Sequence, residues 1–417
     1  MAEIRRSSGV VQEQRAIWMV VRLCLFLTFP AALPGAQEAN RSRRFGPDSC
    51  GPVDPAYIRI ADETGGLPMF LQPSEAGKAT HFMRESSGEN HVTLFWATGR
   101  LQGARREFTV PVDSSVQRTT FSLSTDTKGT LMTLLRPSGE AVVPGAAGVE
   151  ITELNCGRVV TVATPEAGDW RAQVAGSGRF WLEAGGKSEI FLVSVEFVRL
   201  GGRPGHEGYF RIPGQPIGGQ AATLQVTFSG PAKTAGFELV SEDGEVIQPI
   251  PLRREGAGDA SDGQDHPLNG EYYGSFELPV EPFRVAVTGR DEKGHAYQRY
   301  FHTLFRAENV EVLPPLDLED LAPGKTTTIN YSVRNVGPPA PFRILVYDTR
   351  HFVTRVEPRE LTLDTGASAT VEIDVVVPPD TQPGIGSDLT VTATSIADPT
   401  TTNGSSKHLS VFATTNP

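Results

Sequence analysis

The chain of 417 residues is poor in the features that mark common enzymes and membrane proteins. It has three cysteines, four tryptophans and five methionines. It contains no Gly-x-Ser-x-Gly elbow, His-Glu-x-x-His pair or phosphate-binding Gly-rich loop, which excludes the usual signatures of serine hydrolases, zinc proteases and nucleotide hydrolases. Beyond its first 36 residues no apolar run approaches the roughly 18 residues that a spanning helix needs. The net charge of −11 and the absence of a basic, aromatic patch disfavour nucleic-acid binding.

Glycine and proline, in contrast, are abundant, with 43 and 32 copies. Together with Asn and Asp they interrupt short alternating apolar and polar runs about every 8–15 residues from Val92 onward. Runs of this length and period suit half-buried antiparallel strands and are too short for helices. We therefore predict an all-β fold of tandem β-sandwiches, the first jelly-roll-like and the next two immunoglobulin-like, after a short N-terminal helical remnant.

Linker-like segments set the predicted domain boundaries. Gly/Pro-rich residues 200–205 and the Leu313-Pro-Pro315 segment separate three regions of alternating strands. In the first region we expect Trp170, Val174 and Phe180 to anchor the core. The predicted divisions are a signal at 1–36, a linker with a helix and strand remnant at 37–85, and sandwiches at 86–200, 206–306 and 314–417.

One stretch near the N-terminus has helical periodicity. Tyr57, Ile60, Ala61 and Thr64 fall on one helix face, and Gly65-Gly66 can form a left-handed cap. Residues 69–71 read as a short buried strand, and a second helix can begin at Ser74.

The first 36 residues resemble a secretory signal, with Arg5, Arg6 and Arg15 ahead of an apolar stretch and small residues up to Ala36. A membrane anchor is the alternative, but the apolar run is short and Arg22 interrupts it. An exported chain retains a pair of cysteines after cleavage, Cys50 and Cys156. This pair predicts a disulfide, with two separate buried thiols as the alternative.

Two acidic groups are candidate sites. Asp259, Asp262 and Asp265, beside His266, offer the oxygen ligands that calcium prefers. Their spacing does not match an EF-hand, so a solvated loop and a weak calcium site are both compatible. Three glutamates (Glu238, Glu242 and Glu245, with Asp243) surround a Ser-Glu-Asp-Gly turn, which is typical of solvated turn residues more than of a catalytic pair.

Three Asn-x-Ser sequons occur, at Asn40, Asn330 and Asn403. We expect Asn40 and Asn403 to lie in exposed segments. Asn330 falls in a predicted strand, so its side chain must face outward if it carries a glycan.

Neighbouring aromatic rings are candidate interface anchors, because adjacent strand residues cannot all face one core. They are Tyr272-Tyr273, Tyr297 and Tyr300-Phe301, and the alternative is packing against loops at the sheet edge.

Several of these segments resemble the region that follows the von Willebrand factor A domain in hemicentins and related extracellular proteins. The strongest match is Val159-Val-Thr-Val-Ala-Thr-Pro-Glu-Ala-Gly-Asp-Trp170, followed by Val287-Thr-Gly-Arg-Asp-Glu-Lys-Gly294. Residues 57–66 resemble the last helix of such an A domain, and residues 108–113 and 119–124 resemble the strands after it. The resemblance covers roughly residues 57–305 and implies an extracellular β-sandwich protein.

The Asp-x-Ser-x-Ser motif of the A-domain metal site is absent, and Asp113-Ser-Ser-Val-Gln117 has the wrong spacing. No metal-dependent adhesion site is therefore expected, and no cofactor. We interpret the chain as a noncatalytic secreted or cell-surface module of adhesion or matrix type that binds other extracellular proteins. The alternative is an accessory substrate-binding region of a secreted hydrolase, or an enzyme with an unrecognised site.

Overall fold

The computed structural model of the chain describes residues 25–27, 50–51, 55–78, 90–203, 205–254, 268–318 and 320–412. They fall into two compact units. The first comprises residues 1–195, 225–274 and 282–304, and the second comprises residues 196–224, 275–281 and 305–417. Among the described residues no helix has the length and apolar character needed to cross a bilayer.

Strands dominate both units, which confirms the all-β prediction. The described helical residues are α1 (Pro55–Thr64), a 3₁₀ turn (Pro73–Glu75) and residues 76–78, which continue from that turn. The strands are β1 (Leu25–Leu27), β2 (Met69–Leu71), β3 (His91–Gln102), β4 (Arg106–Val112), β5 (Arg118–Thr125), β6 (Leu131–Leu135), β7 (Val149–Leu154), β8 (Gly157–Ala163), β9 (Gly168–Ala175), β10 (Ser177–Lys187), β11 (Phe191–Arg203), β12 (His206–Arg211), β13 (Ala221–Ser229), β14 (Ala232–Ser241), β15 (Val246–Ile250), β16 (Arg253–Arg254), β17 (Gly270–Glu277), β18 (Phe283–Asp291), β19 (Ala296–Tyr300), β20 (Val310–Leu313), β21 (Thr326–Asn335), β22 (Ala340–Asp348), β23 (Val353–Glu357), β24 (Glu360–Leu363), β25 (Ser368–Val376), β26 (Gly386–Ser395) and β27 (Thr402–Ser410).

The first unit contains a nine-stranded sheet, in the order β15-β14-β18-β19-β3-β10-β5-β8-β7, and a three-stranded sheet, β4-β9-β6. Alternate residues of these strands face a shared apolar core. Trp170, Val174 and Phe180 are fully buried in it, as the sequence predicts. Strand β7 has only partly buried apolar residues, and the sequence pattern did not indicate it.

The N-terminal segment joins this core. Helix α1 and strand β2 lie where the sequence places them, and Gly65 has the left-handed φ of +72° expected of a cap. At the predicted second helix the structure has the 3₁₀ turn followed by helical residues 76–78, and the rest of that prediction lies outside the described residues. The four residues that share the predicted face of α1 are not buried together: Tyr57 and Ile60 are 48% and 42% exposed, whereas Ala61 and its neighbour Asp62 are buried. Of the predicted signal, the structure describes only β1, which pairs in parallel with β2, so cleavage stays a prediction.

The region at 206–306, expected to form its own sandwich, is divided between the units. Strands β14, β15, β18 and β19 extend the nine-stranded sheet of the first unit. The link is a single pairing of Tyr300 with Thr93 of β3. The two compact units therefore have other boundaries than the three predicted sandwiches. The reason is that strands from the middle region belong to the nine-stranded sheet of the first unit.

The second unit contains two four-stranded antiparallel sheets, β20-β21-β25-β23 and β24-β22-β26-β27, with an apolar core between them. Period-two alternation explains this core directly. The inward residues of β21, β25 and β26 are Ile329, Tyr331, Val333, Val371, Ile373, Val375, Leu389, Val391 and Ala393, and all are buried. Two sheets of this kind in about a hundred residues form an immunoglobulin-like sandwich.

Candidate interaction surface

The buried charged side chains of the first unit form ion pairs and hydrogen bonds with other residues of that unit. Arg299 on β19 is paired with Asp113 at 2.6 Å, and both side chains are almost completely buried. The same guanidinium donates to the Ser188 hydroxyl at 2.6 Å and to the Ile190 carbonyl at 2.9 Å. Burial lowers the pKa of Arg299, and the Asp113 carboxylate opposes that shift. The pair joins three segments that are far apart in the chain.

A second carboxylate fastens the β18–β19 hairpin. Asp291 accepts hydrogen bonds from the Ser114 N–H at 2.9 Å, the Ser114 hydroxyl at 2.6 Å and the His295 N–H at 2.8 Å. Burial alone raises the pKa of Asp291, but these hydrogen bonds outweigh it and lower the pKa to about 2. Asp291 is therefore a structural anion.

The third cluster holds helix α1 against the sheet. Asp62 accepts from Trp181 Nε1 at 2.8 Å and from Arg179 at 2.9 Å, while its backbone carbonyl accepts from Arg284 at 3.2 Å. The Arg284 guanidinium lies 5.0 Å from the centre of the Trp96 ring. Burial lowers the pKa of Arg284 to about 10, against the opposing effect of nearby carboxylates. Burial of Asp62 explains why α1 is rotated from the predicted face.

The structure also places the predicted sulfur and acidic sites. Cys50 and Cys156 form the predicted disulfide, with sulfur atoms 2.10 Å apart. The Ser241–Gly244 segment is a hydrogen-bonded turn. Its Glu242 carbonyl accepts from the Thr98 N–H of β3.

Asp259, Asp262 and Asp265 lie outside the described residues, so the calcium alternative stays a prediction. In the described ranges, no group of three or more His, Cys, Asp or Glu side chains could hold a metal ion.

The sequons have different environments. Asn330 is exposed on β21, whereas Asn40 lies outside the described residues. Asn403, expected to be exposed, is only 4% exposed. Its Nδ2 donates to the carbonyls of Gln215 and Val310, and its Oδ1 accepts from the N–H groups of Gln215 and Gly404. The expectation of an exposed Asn403 is wrong, because the sequon begins a strand whose inner face is packed.

Most of the aromatic candidates belong to the core. Tyr272, Tyr297 and Tyr300 are buried and pack against Phe237, Phe228 and Phe95 respectively. Tyr273 and Phe301 are half-buried. The interface hypothesis is therefore wrong for Tyr272, Tyr297 and Tyr300, which are buried against other aromatic rings.

A different pair of apolar side chains lies exposed on the second unit. Leu345 and Tyr347 of β22 are 57% and 60% exposed, and they stand beside Thr392 and Thr390 of β26 in the sheet register. Arg343, on the same face of β22, pairs with Glu360 of β24 at 3.2 Å. We call this set, Arg343, Leu345, Tyr347, Thr390 and Thr392, the Tyr347 face.

The polar groups around the Tyr347 face are already partnered. The hydroxyls of Thr390 and Ser406 are 2.8 Å apart, and His408 Nδ1 lies 2.7 Å from Asp388 Oδ1. The rings of His351 and Tyr347 pack edge to face, with their centres 6.4 Å apart. A rigid sheet with satisfied polar groups and two exposed apolar side chains can bind a neutral, largely apolar protein surface at small ordering cost.

Sequence reasoning missed this face, although a signal exists. Residues 344–347 are Ile-Leu-Val-Tyr, four apolar residues in succession. Because strand side chains alternate, two of the four must face outward in either register. Runs of this kind are typical of strands covered on both faces.

A second exposed apolar group lies on the β11–β12 hairpin of the same unit. Leu200 and Tyr209 are paired across the hairpin and Phe210 follows, all three exposed. Arg199 and Arg211 flank them, but each lies within 4 Å of a carboxylate, of Glu311 and Glu196 respectively. The hairpin thus adds apolar surface without a strong charge.

The strands of the two units define a class of antiparallel β-sheet protein with an immunoglobulin-like sandwich in its second unit. Two segments of the chain match known domain families. Residues 91–189 match the hemicentin galactose-binding domain-like family, and residues 316–413 match the VWA7 Ig-like domain. The predicted resemblance to hemicentins and to extracellular proteins with von Willebrand factor A domains is confirmed.

Comparison with curated proteins finds the same relatives. The chain is 25% identical to mouse hemicentin-1 over 252 residues, which is 58% of this chain. It is 24% identical to human hemicentin-1 over 276 residues, which is 64% of this chain. It spans only 4% of either relative. Among solved structures, Salmonella α-2-macroglobulin reacted with methylamine covers 77% of this chain, and the chain covers 23% of it, at 10% identity and a TM-score of 0.26, which supports no functional argument.

Proposed function

We propose that the chain is a noncatalytic secreted or cell-surface interaction module of the adhesion or extracellular-matrix type, and that it binds other extracellular proteins. The observation that carries this proposal is the Tyr347 face. Two exposed apolar side chains lie there on a rigid sheet, in the domain that matches the VWA7 Ig-like domain. Exposed aromatic and aliphatic anchors of this kind are typical of protein interfaces.

The chemistry of the face favours a particular kind of partner. Its Arg343 and Glu360 neutralise each other, and so do Asp388 and His408 when the histidine is protonated. A nearly neutral face does not attract a polyanion such as nucleic acid or a sulfated glycan. We therefore propose a neutral, apolar patch on a protein as the occupant of the Tyr347 face.

The pairing of the buried charged groups with other protein groups supports a noncatalytic role. Arg299, Asp113, Asp291 and Asp62 each have structural partners within 3 Å. A catalytic acid or base needs a hydrogen-bonded path to substrate, which a fully enclosed ion pair does not offer. An extracellular location is supported by the disulfide, because such bonds persist in oxidising compartments.

The test is capture of proteins from a native extracellular-matrix extract by the immobilised full chain. The double variant Leu345→Ser/Tyr347→Ser should reduce capture of the specific partner roughly ten-fold or more, as loss of an aromatic anchor does. The matched control, Leu131→Ser/Val143→Ser, removes two exposed apolar side chains from the first unit and should leave capture unchanged. Capture should also survive chelation.

The outcomes separate the function from the surface. Absence of any specific partner for the unmodified chain would contradict the interaction role. Equal capture by the unmodified chain and by L345S/Y347S would retain the role and reject the Tyr347 face. Turnover of a generic ester, peptide or polysaccharide substrate by the purified chain would favour the hydrolase alternative.

A further inference from the structure

The two described sequons of the second unit differ in the space around their amide nitrogens. Asn330 belongs to Asn330-Tyr-Ser332 and Asn403 to Asn403-Gly-Ser405. Asn330 points away from the core, between the buried residues Ile329 and Tyr331. Alternation along β21 fixes this direction, since any inward rotation would expose two core residues.

The neighbourhood of Asn330 is open. Its partner across the sheet is the exposed Glu372 of β25. On the other side, β20 pairs only with residues 332–335, so its register ends before Asn330. Within the described part of the chain no hydrogen bond engages the Asn330 side chain, and its amide nitrogen is available for modification.

Asn403 is the opposite case. Both Nδ2 protons are donated, to Gln215 O at 3.1 Å and Val310 O at 2.9 Å, and Oδ1 accepts from two N–H groups at 2.9 Å. These four bonds use the whole hydrogen-bonding capacity of an amide side chain. A sugar on Nδ2 would replace one proton and displace a carbonyl, leaving buried backbone groups unpaired.

We infer that Asn330 is an N-glycosylation site of the immunoglobulin-like domain and that Asn403 is unmodified in the folded protein. The donor is an oligosaccharide on a lipid pyrophosphate. A bond forms between Asn330 Nδ2 and the anomeric carbon of the sugar, and the bond from that carbon to the pyrophosphate oxygen breaks. The amide loses one proton to the leaving pyrophosphate. This inference rests on the proposed extracellular route.

Glycosylation would also divide the domain into two faces. The glycan would cover the outer face of the β20-β21-β25-β23 sheet, where Arg355 is already engaged with Glu357, Glu372 and Asp374. The Tyr347 face lies on the other sheet and stays uncovered. The glycan would thus restrict protein contacts of this domain to the face with the exposed apolar pair.

The experiment is secretion of the full chain from a glycosylating cell line, followed by peptide mass spectrometry after enzymatic deglycosylation in isotopically labelled water. The peptide with Asn330 should carry labelled aspartate, whereas the peptide with Asn403 should retain asparagine. Ser332→Ala, which removes the sequon and keeps Asn330, should abolish the label at Asn330. Ser405→Ala should leave the glycan mass of the whole chain unchanged.

The Cys50–Cys156 bond keeps the two proposals distinguishable. Bare Asn330, or labelled Asn403, in secreted chain whose disulfide is formed would overturn the glycosylation inference and retain the extracellular route. A chain kept inside the cell with reduced cysteines would contradict the route. In that case, replacing residues 1–36 with a known secretory signal still decides which sequon is modified.

Discussion

The two units of the chain are both built from antiparallel sheets, but different interactions hold them together. In the first unit a disulfide and buried ion pairs connect segments more than a hundred residues apart, such as Cys50 with Cys156 and Asp113 with Arg299. In the second unit the core is apolar, and its buried polar links include the neutral Asn403, which joins Gln215 to Val310, and the Asp348 carboxylate, which accepts hydrogen bonds from backbone N–H groups. The first unit is therefore stabilised by a disulfide and ion pairs between distant segments. The second unit is stabilised mainly by an apolar core that follows from the alternation of apolar and polar residues along its strands.

The largest expected effect is loss of the buried ion pair. Arg299→Ala should destabilise the first unit by about 3–5 kcal/mol, because it leaves the Asp113 carboxylate buried without its partner. Trp96, Trp170 and Trp181 all lie in the first unit, so tryptophan fluorescence during urea unfolding measures this unit selectively. The control is Arg343→Ala, which breaks an exposed pair of the second unit and should cost about 1 kcal/mol or less, measured by hydrogen exchange in strands β22 and β24 because tryptophan does not report that unit.

If Arg299→Ala and Arg343→Ala lower the free energy of unfolding of their own units equally, the proposed difference between the units is wrong. The double variant Asp113→Leu/Arg299→Leu provides a further check. It removes both buried charges and should be less damaging than either single loss of charge.

Removal of the disulfide should come next. Cys50→Ala/Cys156→Ala should destabilise the first unit by about 2–5 kcal/mol, since the bond restricts the unfolded chain over a separation of 106 residues. Hydrogen exchange measured by peptide should then increase in the first unit and remain unchanged in strands β21, β25 and β26. Equal loss of protection in those strands would show that the units do not unfold separately.

In the second unit the neutral link should be the sensitive point. Asn403→Ala should cost about 1–3 kcal/mol, because it leaves buried backbone groups of Gln215, Val310 and Gly404 without their partner. Tryptophan fluorescence should not report this loss, whereas exchange at residues 214–218 and 402–405 should. Asn330→Ala is the matched control, because its side chain is exposed, and it should be nearly neutral.

The smallest effect is expected from acid. The folded pKa of Asp291 is lowered to about 2 from an ordinary value of 3.8, so its contribution of about 2 kcal/mol is present above pH 4 and is lost as the pH falls toward 2. Asp348, in the second unit, has a lowered pKa because hydrogen bonds from Val353, Phe352 and Ser387 outweigh the effect of burial.

Unfolding followed between pH 5 and pH 2 should therefore show acid loss in both units. Asp291→Asn should flatten the pH dependence of the fluorescence transition, which reports the first unit. Asp348→Asn should flatten only the pH dependence of hydrogen exchange in strands β22 and β26 of the second unit. Should Asp291→Asn leave the acid slope unchanged, the hydrogen bonds from Ser114 would not be the source of the pKa shift.

Sequence reasoning was most successful where one face of a strand is apolar and the other polar. Val371, Ile373 and Val375 alternate with polar residues, and the structure buries all three. It failed at residues whose direction depends on a distant partner. Asp62 turns helix α1 inward because Trp181 and Arg179 lie opposite it, and no local pattern contains that information.

The candidate surface shows the same limit. Neighbouring aromatic residues make Tyr297 and Tyr300 candidate interface anchors in the sequence, yet the first unit buries both. Leu345 and Tyr347 lie in an unbroken apolar run, where alternation does not distinguish the inner face from the outer one. Only the pairing of β22 with β26 decided which two residues are exposed.

The amino-acid order alone determined the strand-rich architecture, the immunoglobulin-like region near the C-terminus and the two cysteines available for bonding, since these follow from short-range periodicity and turn chemistry. Tertiary contacts decided how the central strands were distributed between the units, which sequon is accessible and where apolar side chains reach solvent. The physical reason is that burial and hydrogen-bond satisfaction depend on segments far apart in the chain, which have no local signature.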